Sequence, residues 1–149
     1  MGDPAVPRDR IDVSADVIDP GALVTAVVDA RAGAVVLFLG TVRNHSDGKP
    51  NVSRLDYEVY PEMVDSKIGE IVAEARARWD LGKVAVIHRI GSLGVGEVSV
   101  GVAVSAGHRG EAFAAGRYLI DELKARAPIW KKEHWEGGAE WVREGQVPE

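Results

Sequence analysis

Residues 54–90 read RLDYEVYPEMVDSKIGEIVAEARARWDLGKVAVIHRI, and they encode one helix between two strands. Over 54–59 apolar residues alternate with charged ones, which is the period-two pattern of a half-buried strand. Over 61–79 the apolar residues recur every three or four positions, which predicts an amphipathic helix that begins at a proline. Gly82 ends this helix, and the apolar run 84–90 predicts the next strand. The chain therefore combines helices with a sheet.

Two further elements are predicted on the N-terminal side of this unit. Pro20 occupies the first position of a helix expected over 20–31. Residues 34–39 are apolar throughout, AVVLFL, which predicts a central strand covered on both faces. The segment 44–51, NHSDGKPN, is dense in turn formers and predicts a polar loop. We expect the strands on either side of this loop to pair as a long hairpin.

The C-terminal side adds strands and one more helix. GSLGVG over 91–96 predicts a turn, and the alternating valines of 98–104 predict a strand. A helix is expected over 109–126, because Pro128 disfavours helical geometry at the residue before it. The remaining residues are expected to form short extended segments around a turn at Gly137-Gly138. The order β-α-β-β-α-β-β-α-β favours an α+β fold with helices packed on a mixed, largely antiparallel sheet.

Length and composition indicate a single domain of a soluble globular protein. The chain has 149 residues, of which 46% are hydrophobic and 28% charged. We expect residues 1–15 to form a loose N-terminal tail, in which Ile11 and Val13 alternate as in a short strand, and residues 16–149 to form the domain. The polar start, MGDPAVPRDR, lacks the apolar core of a secretory signal, and no apolar run is long enough to cross a membrane. A cytoplasmic location without membrane contact is expected.

Charge and cysteine content exclude several function classes. The formal net charge is -5, and acidic residues interleave with the basic ones, so nucleic-acid binding is not expected. The chain has no cysteine, which excludes disulfides, thiolate metal sites, cysteine nucleophiles and a persulfide carried on the chain. The histidines, at 45, 88, 108 and 134, lack the spacing of metal ligands, so no metal site is expected.

Three groups of polar residues are candidates for chemistry. Arg43 follows the apolar strand 34–39 and precedes the polar loop. His108 and Arg109 begin the last helix, where free N–H groups and the helix dipole favour a phosphate or carboxylate. Lys124 and Lys131 lie on either side of the break at Pro128, and neighbouring cations such as Arg126 and Lys132 would make Lys131 a usable base or nucleophile. Solvated surface positions remain the alternative for each group.

Helix length separates two of these groups. Between His108 and Lys124 lie sixteen helical steps, or about 24 Å at 1.5 Å per residue. One small substrate cannot contact both ends of that helix. Either the two ends serve different sites, or His108 and Arg109 of one subunit complete the site that holds Lys124 and Lys131 of another, as a symmetric dimer allows.

Several sequence blocks together resemble the large, catalytic subunit of molybdopterin synthase, the MoaE family. They are GTVRNH at 40–45, YEVYPEM at 57–63, HRIG at 88–91, GHR at 107–109 followed by Ala112-Phe113, and LKARAPIWKKE at 123–133. The resemblance spans about residues 20–143. It implies an α/β-hammerhead-like, MoaE-like fold.

The resemblance also implies an activity and its partners. Members of this family convert cyclic pyranopterin monophosphate to molybdopterin by inserting two sulfurs as a dithiolene. The sulfur comes from the C-terminal thiocarboxylate of a small ubiquitin-like (MoaD-like) subunit, and no cofactor is implied. Two large subunits form a homodimer within a 2+2 heterotetramer. A chain without thiols fits this scheme, because another protein must then carry the sulfur.

The family pattern assigns roles to matching residues of this chain. It implies Lys124 and Lys131 as catalytic residues, with His108 and Arg109 reaching the site from the neighbouring subunit. The positions implied for substrate binding are Thr41, Val42, Arg43, His108, Arg109, Lys132 and Glu133. The alternative function is a non-catalytic dimeric module that binds a ubiquitin-like tail or a phosphorylated small molecule, and the paired lysines at the helix break disfavour it.

Overall fold

The computed structural model describes residues 9–46 and 48–143. In these residues the elements are β1 (Asp9–Ser14), α1 (Pro20–Val27), β2 (Ala34–Thr41), β3 (Arg54–Val59), α2 (Pro61–Arg78), β4 (Leu81–Arg89), β5 (Gly91–Gly94), β6 (Val98–Ala106), α3 (Arg109–Arg126), β7 (Ile129–Trp135) and β8 (Gly138–Arg143). No helix of this described part is long and apolar enough to cross a membrane.

The strands form two four-stranded sheets that share one core. The first sheet has the order β1-β4-β6-β2 and the second has the order β5-β3-β7-β8. The pairing of β1 with β4 is parallel, and the other strand pairs of these sheets are antiparallel. One cluster of buried residues joins both sheets with α2 and α3. The α+β class with largely antiparallel strands is therefore confirmed, although the strands are divided between two sheets.

The predicted hairpin between β2 and β3 is wrong. β2 pairs with β6 at the edge of the first sheet, whereas β3 lies in the second sheet between β5 and β7. The strand is predicted to be central because it is apolar throughout, but it lies at the edge of its sheet. It is apolar because helices cover both faces of the first sheet. Val36 and Phe38 pack against the cluster that contains α2 and α3, and Leu37 and Leu39 pack against the cluster that contains α1.

The helices of the structure agree closely with the pattern, apart from the end of α1. Helix α3 ends at Arg126, before Pro128, as predicted. Helix α1 ends at Val27, four residues before the predicted Arg31. The Asp29 carboxylate accepts a hydrogen bond from the backbone N–H of Arg31 at 3.0 Å, so a local turn replaces the last helical turn.

Part of the expected N-terminal tail is ordered structure. Residues 9–14 form β1, which pairs with residues 84–89 of β4. The Arg76 guanidinium bonds to the Asp9 carboxylate and so ties β1 to α2. Residues 1–8 of the predicted tail lie outside the described residues, as do residues 144–149 of the predicted domain. The turn predicted over GSLGVG is wrong for its first four residues, which form β5 and pair with β3, so that the turn is confined to Val95-Gly96. The hairpin of β7 and β8 turns at Gly137, as the Gly-Gly signal predicted.

An ion pair joins the two long helices next to the end of α3. Arg126 donates to both carboxylate oxygens of Glu74, at 2.5 and 2.9 Å, and the Tyr118 hydroxyl donates to the same carboxylate at 2.9 Å. Hydrogen bonds from Arg126, and then from Tyr118, lower the pKa of Glu74 from its usual 4.5 to about 2. This pair fixes the last turn of α3, from which Lys124 projects.

Replacement of Glu74 by glutamine is expected to destabilise the protein at neutral pH. Because the pKa of Glu74 is lower in the folded chain, its stabilisation is present above pH 4.5 and is lost as the pH falls toward 2. Urea unfolding of both proteins from pH 7 to pH 2 measures this difference. Glu70→Gln, at an exposed position of the same helix, is the control. A constant difference between Glu74→Gln and the unmodified protein over that range would contradict the prediction.

Candidate active site

A cavity of about 310 Å³ opens where the two sheets meet. Its walls come from the end of β2, the loop that follows it, β3, β6, the last turn of α3 and β7. The residues that line it are Phe38, Leu39, Gly40, Thr41, Arg43, His45, Val52, Leu55, Tyr57, Ser99, Val100, Lys124, Lys131 and Glu133. We call it the junction cavity.

A β-bulge shapes the wall formed by the first sheet. Gly40 pairs with Val100, but Thr41 pairs with Val98, so Ser99 of β6 is the extra residue. The Ser99 hydroxyl donates to the backbone oxygen of Gly40 at 3.3 Å. A Cβ on Gly40 would lie 2.6 Å from a methyl carbon of Val100, so only glycine fits there. The bulge ends the regular pairing of β2 and directs the following loop along the cavity.

The break after α3 places two lysines in the same cavity. Lys124 lies in the last turn of α3, and the chain passes through Pro128 into β7. Lys131 pairs with Tyr57 of β3, and both residues line the cavity. Since side chains alternate along a strand, Lys131 and Glu133 project to the same face of β7. Lys124 and Lys131, which lie on either side of the helix break in the sequence, therefore line the same cavity.

The loop between β2 and β3 supplies the remaining polar wall. Arg43 and His45 line the cavity from this loop. Lys49 reaches across to the β7–β8 hairpin, where its Nζ lies 2.5 Å from an oxygen of Glu133 in β7 and 3.1 Å from an oxygen of Glu140 in β8. Burial opposes the charge of Lys49, but the hydrogen bonds to these two carboxylates outweigh it and raise the pKa of the lysine.

The structure brings five of the predicted site residues together and places four elsewhere. Thr41, Arg43, Lys124, Lys131 and Glu133 all line the junction cavity. The four that do not line it are Val42, Lys132, His108 and Arg109.

Each of the four has a definite position. Val42 is buried in the core at 3% exposure, and its backbone is hydrogen-bonded to Gly96 and Glu97 in the turn before β6. Lys132 projects to the opposite face of β7 and lies over the ring of Trp141, 5.8 Å from its centroid. His108 and Arg109 are exposed at the start of α3, at the far end of the helix from Lys124.

The expected cationic surroundings of Lys131 are wrong in detail. Arg126 is turned toward α2, where it pairs with Glu74. Lys132 lies on the other face of the strand, as alternation requires. The charged groups that share the cavity with Lys131 are instead Arg43, Lys124 and Glu133.

Other cavity residues carried no local sequence signal. Tyr57 fits the strand pattern as an ordinary core residue, yet it lines the cavity, with its ring 5.1 Å from that of the buried His88. Ser99 is one polar residue among valines. His45 belongs to a segment whose composition indicates only a loop. Within the described residues, no group of three or more His, Asp or Glu side chains is arranged to hold a metal ion.

A second groove lies beside the junction cavity. It measures about 480 Å³ and is formed by β2 and one face of α3. Val36, Phe38, Phe113, Gly116 and Ile120 contribute its apolar surface, and Phe113 is 64% exposed. Phe38 and Lys124 line both spaces, so the two are continuous. We call this surface the β2–α3 groove.

Comparisons with known proteins agree on one family. The family model described as MoaE protein matches residues 13–126. The molybdopterin synthase catalytic subunit of Escherichia coli K12 is 52% identical over 110 residues, which cover 74% of this chain and 73% of that protein.

Solved structures show the same fold. Molybdopterin synthase from Staphylococcus aureus superposes with a TM-score of 0.82 at 35% identity, covering 87% of this chain and 94% of that one. A complex of subunits 1 and 2 of molybdopterin-converting factor from Helicobacter pylori matches with a TM-score of 0.71 at 22% identity, covering 94% and 93% of the two chains, and shares the fold. This chain belongs to the MoaE family of molybdopterin synthase catalytic subunits.

Proposed function

We propose that this chain inserts sulfur into cyclic pyranopterin monophosphate to form the dithiolene of molybdopterin. The sulfur arrives as the C-terminal thiocarboxylate of a small ubiquitin-like subunit. The observation that carries the proposal is the convergence of Arg43, Lys124 and Lys131 on one cavity in a chain without cysteine. A cavity with three cations and one carboxylate attracts anions, and both reactants are anionic.

The two lysines have complementary work in this scheme. Lys124 and Lys131 flank the thiocarboxylate and stabilise the negative charge that develops as its sulfur forms a C–S bond to the pterin side chain and an oxygen substituent leaves the same carbon. A second thiocarboxylate supplies the second sulfur in the same way. The two lysines also donate and accept protons when water later hydrolyses the acyl–sulfur link, which leaves sulfur on the product and a carboxylate on the partner. Arg43 orients the pterin or the incoming tail by hydrogen bonds. These steps require neither a metal nor a cofactor on this chain.

The proposed assembly is a homodimer with one small subunit on each side, a 2+2 heterotetramer. The β2–α3 groove supports the dimer, since β2 is an edge strand and the exposed Phe113 lies beside it. If two copies of α3 pack antiparallel about a two-fold axis, the start of one helix lies beside the end of the other. His108 and Arg109 of one subunit would then hold the substrate phosphate next to Lys124 of its twin.

The location proposed for this reaction is the cytoplasm. Its reducing conditions preserve sulfur in the thiol oxidation state, which a thiocarboxylate donor requires.

Reconstitution tests the function directly. The purified chain, incubated with cyclic pyranopterin monophosphate and a thiocarboxylated small subunit, is expected to yield molybdopterin, detected by mass spectrometry of the oxidised pterin. The control uses the same subunit with an ordinary C-terminal carboxylate, which carries no sulfur to transfer. Tight binding of the charged subunit without any dithiolene product would contradict the proposal and favour a non-catalytic docking module.

A further inference from the structure

Lys49 is an unusual member of a polar surface loop because its side chain is only 12% exposed. Its Nζ contacts the carboxylates of Glu133 and Glu140 and lies 5.3 Å from the ring centroid of Trp135. All three partners belong to the β7–β8 hairpin. A single side chain thus joins the loop after β2 to the strand that carries Lys131.

Glu133 needs such a partner. Its side chain is 4% exposed, and an isolated carboxylate at that depth is strongly disfavoured. The 2.5 Å contact with Lys49 supplies a charge-assisted hydrogen bond and a compensating positive charge. Lys49 is not one of the cations that line the cavity. Lys49 therefore compensates the buried Glu133 side chain from a position that does not itself line the junction cavity.

Backbone hydrogen bonds extend the contact made by Lys49. We call the whole set of contacts between the loop after β2 and the β7–β8 hairpin the seam. The N–H of Ser53 donates to the oxygen of His134 at 2.8 Å, and the N–H of Glu136 donates to the oxygen of Pro50 at 3.3 Å. At its other end the loop is attached to the turn before β6, where Gly96 donates to the oxygen of Val42 at 2.7 Å. Arg43 and His45 lie between these two attachments, so the seam determines how close they stay to β7.

We propose that Lys49 is a positioning residue of the sulfur-transfer site: it holds the Glu133 side chain in place and fastens the Arg43 loop to the β7–β8 hairpin. This inference rests on the proposed function. Lys49 does not line the junction cavity, so it acts through Glu133 and Arg43 rather than on the reactants. Its loss widens the distance between the Arg43 wall and the Lys131 wall.

The test compares Lys49→Met, Lys49→Arg and the matched control Lys67→Met in the reconstituted assay. Lys67 pairs with Glu70 on the outer face of α2, so its loss removes an equivalent charge far from the cavity. Lys49→Met is expected to lower kcat by about 10²-fold, the effect of a misplacement near 1 Å. Lys49→Arg is expected to restore most of the rate, and Lys67→Met to leave it unchanged. Equal rates for Lys49→Met and Lys67→Met would overturn the proposal.

A double variant shows whether Lys49 acts through Glu133. In a Glu133→Gln background, Lys49→Met is expected to reduce the rate far less than it does in the unmodified chain, because the two effects share one interaction. This variant also removes the buried pair as a whole, which preserves folding if Lys49→Met alone leaves Glu133 uncompensated. If the fold-reductions in rate caused by Lys49→Met and Glu133→Gln simply multiply in the double variant, Lys49 does not act through Glu133.

Amide hydrogen exchange separates the positioning role from the activity. The Glu136 amide, which bonds to Pro50, is expected to exchange faster in Lys49→Met than in Lys67→Met. If Lys49→Met exchanges faster but the unmodified chain makes no molybdopterin, the proposed function is refuted and the structural role of Lys49 stands. Unchanged exchange together with an unchanged rate would refute the positioning role alone.

Discussion

Replacement of Lys131 by alanine is expected to lower molybdopterin formation by about 10²- to 10⁴-fold, the range for loss of a proton-transfer or charge-stabilising group. The residue lies where β7 lines the junction cavity, opposite Tyr57 and on the same face as Glu133. An alanine there removes the ammonium group but keeps the backbone pairing of the strand. Single-turnover measurement with saturating thiocarboxylated subunit isolates the chemical step from binding.

Lys124→Ala is expected to show a loss of similar size, because this residue reaches the same cavity from the end of α3. Lys83→Ala, a lysine of β4 that does not line the cavity, is the control for removing a charge from a strand. Both cavity variants should unfold at nearly the same urea concentration as the unmodified chain. If both turn over at near-normal rates, the lysine pair has no part in the chemistry.

Local pattern is enough to predict the elements but not the partners of the strands. The helices over 61–78 and 109–126 follow from spacing and from Pro128, which act within a few residues. The placement of β2 depends instead on α1 and α3, which cover its two faces and make an edge strand look central. No local spacing distinguishes an edge strand covered by helices from a central one.

The junction cavity also combines contacts that local sequence predicts with contacts between residues far apart in the chain. Lys124 and Lys131 are found from the sequence because a proline break brings neighbours in sequence together. The contact between Lys49 and Glu133 joins residues 84 positions apart, and the loop composition gives no sign of it. The separation of Lys131 from Lys132 follows from the period of a strand, once β7 is known to be one.

The most discriminating experiment concerns the residues that the single chain leaves outside the cavity. His108 is 88% exposed by its side chain, at the start of the helix whose last turn carries Lys124. If each site is built from two subunits, a defect in His108 and Arg109 and a defect in Lys131 affect opposite halves of a site. Two inactive variants can then complement each other in one dimer.

Co-expression of Lys131→Ala with the double variant His108→Ala, Arg109→Ala, each with its own affinity tag, allows purification of the mixed dimer. One of its two sites carries all the defects, and the other has an intact Lys131 from one subunit and intact His108 and Arg109 from its twin. About half of the activity of the unmodified dimer is therefore expected, although both parent dimers are nearly inactive. Sites contained within single subunits would all be defective in the mixed dimer, so activity no higher than that of the parents would exclude the shared site. Half activity would also assign the β2–α3 groove to the dimer contact, provided that Phe113→Asp, which places a charge on that surface, abolishes both the dimer and the recovery.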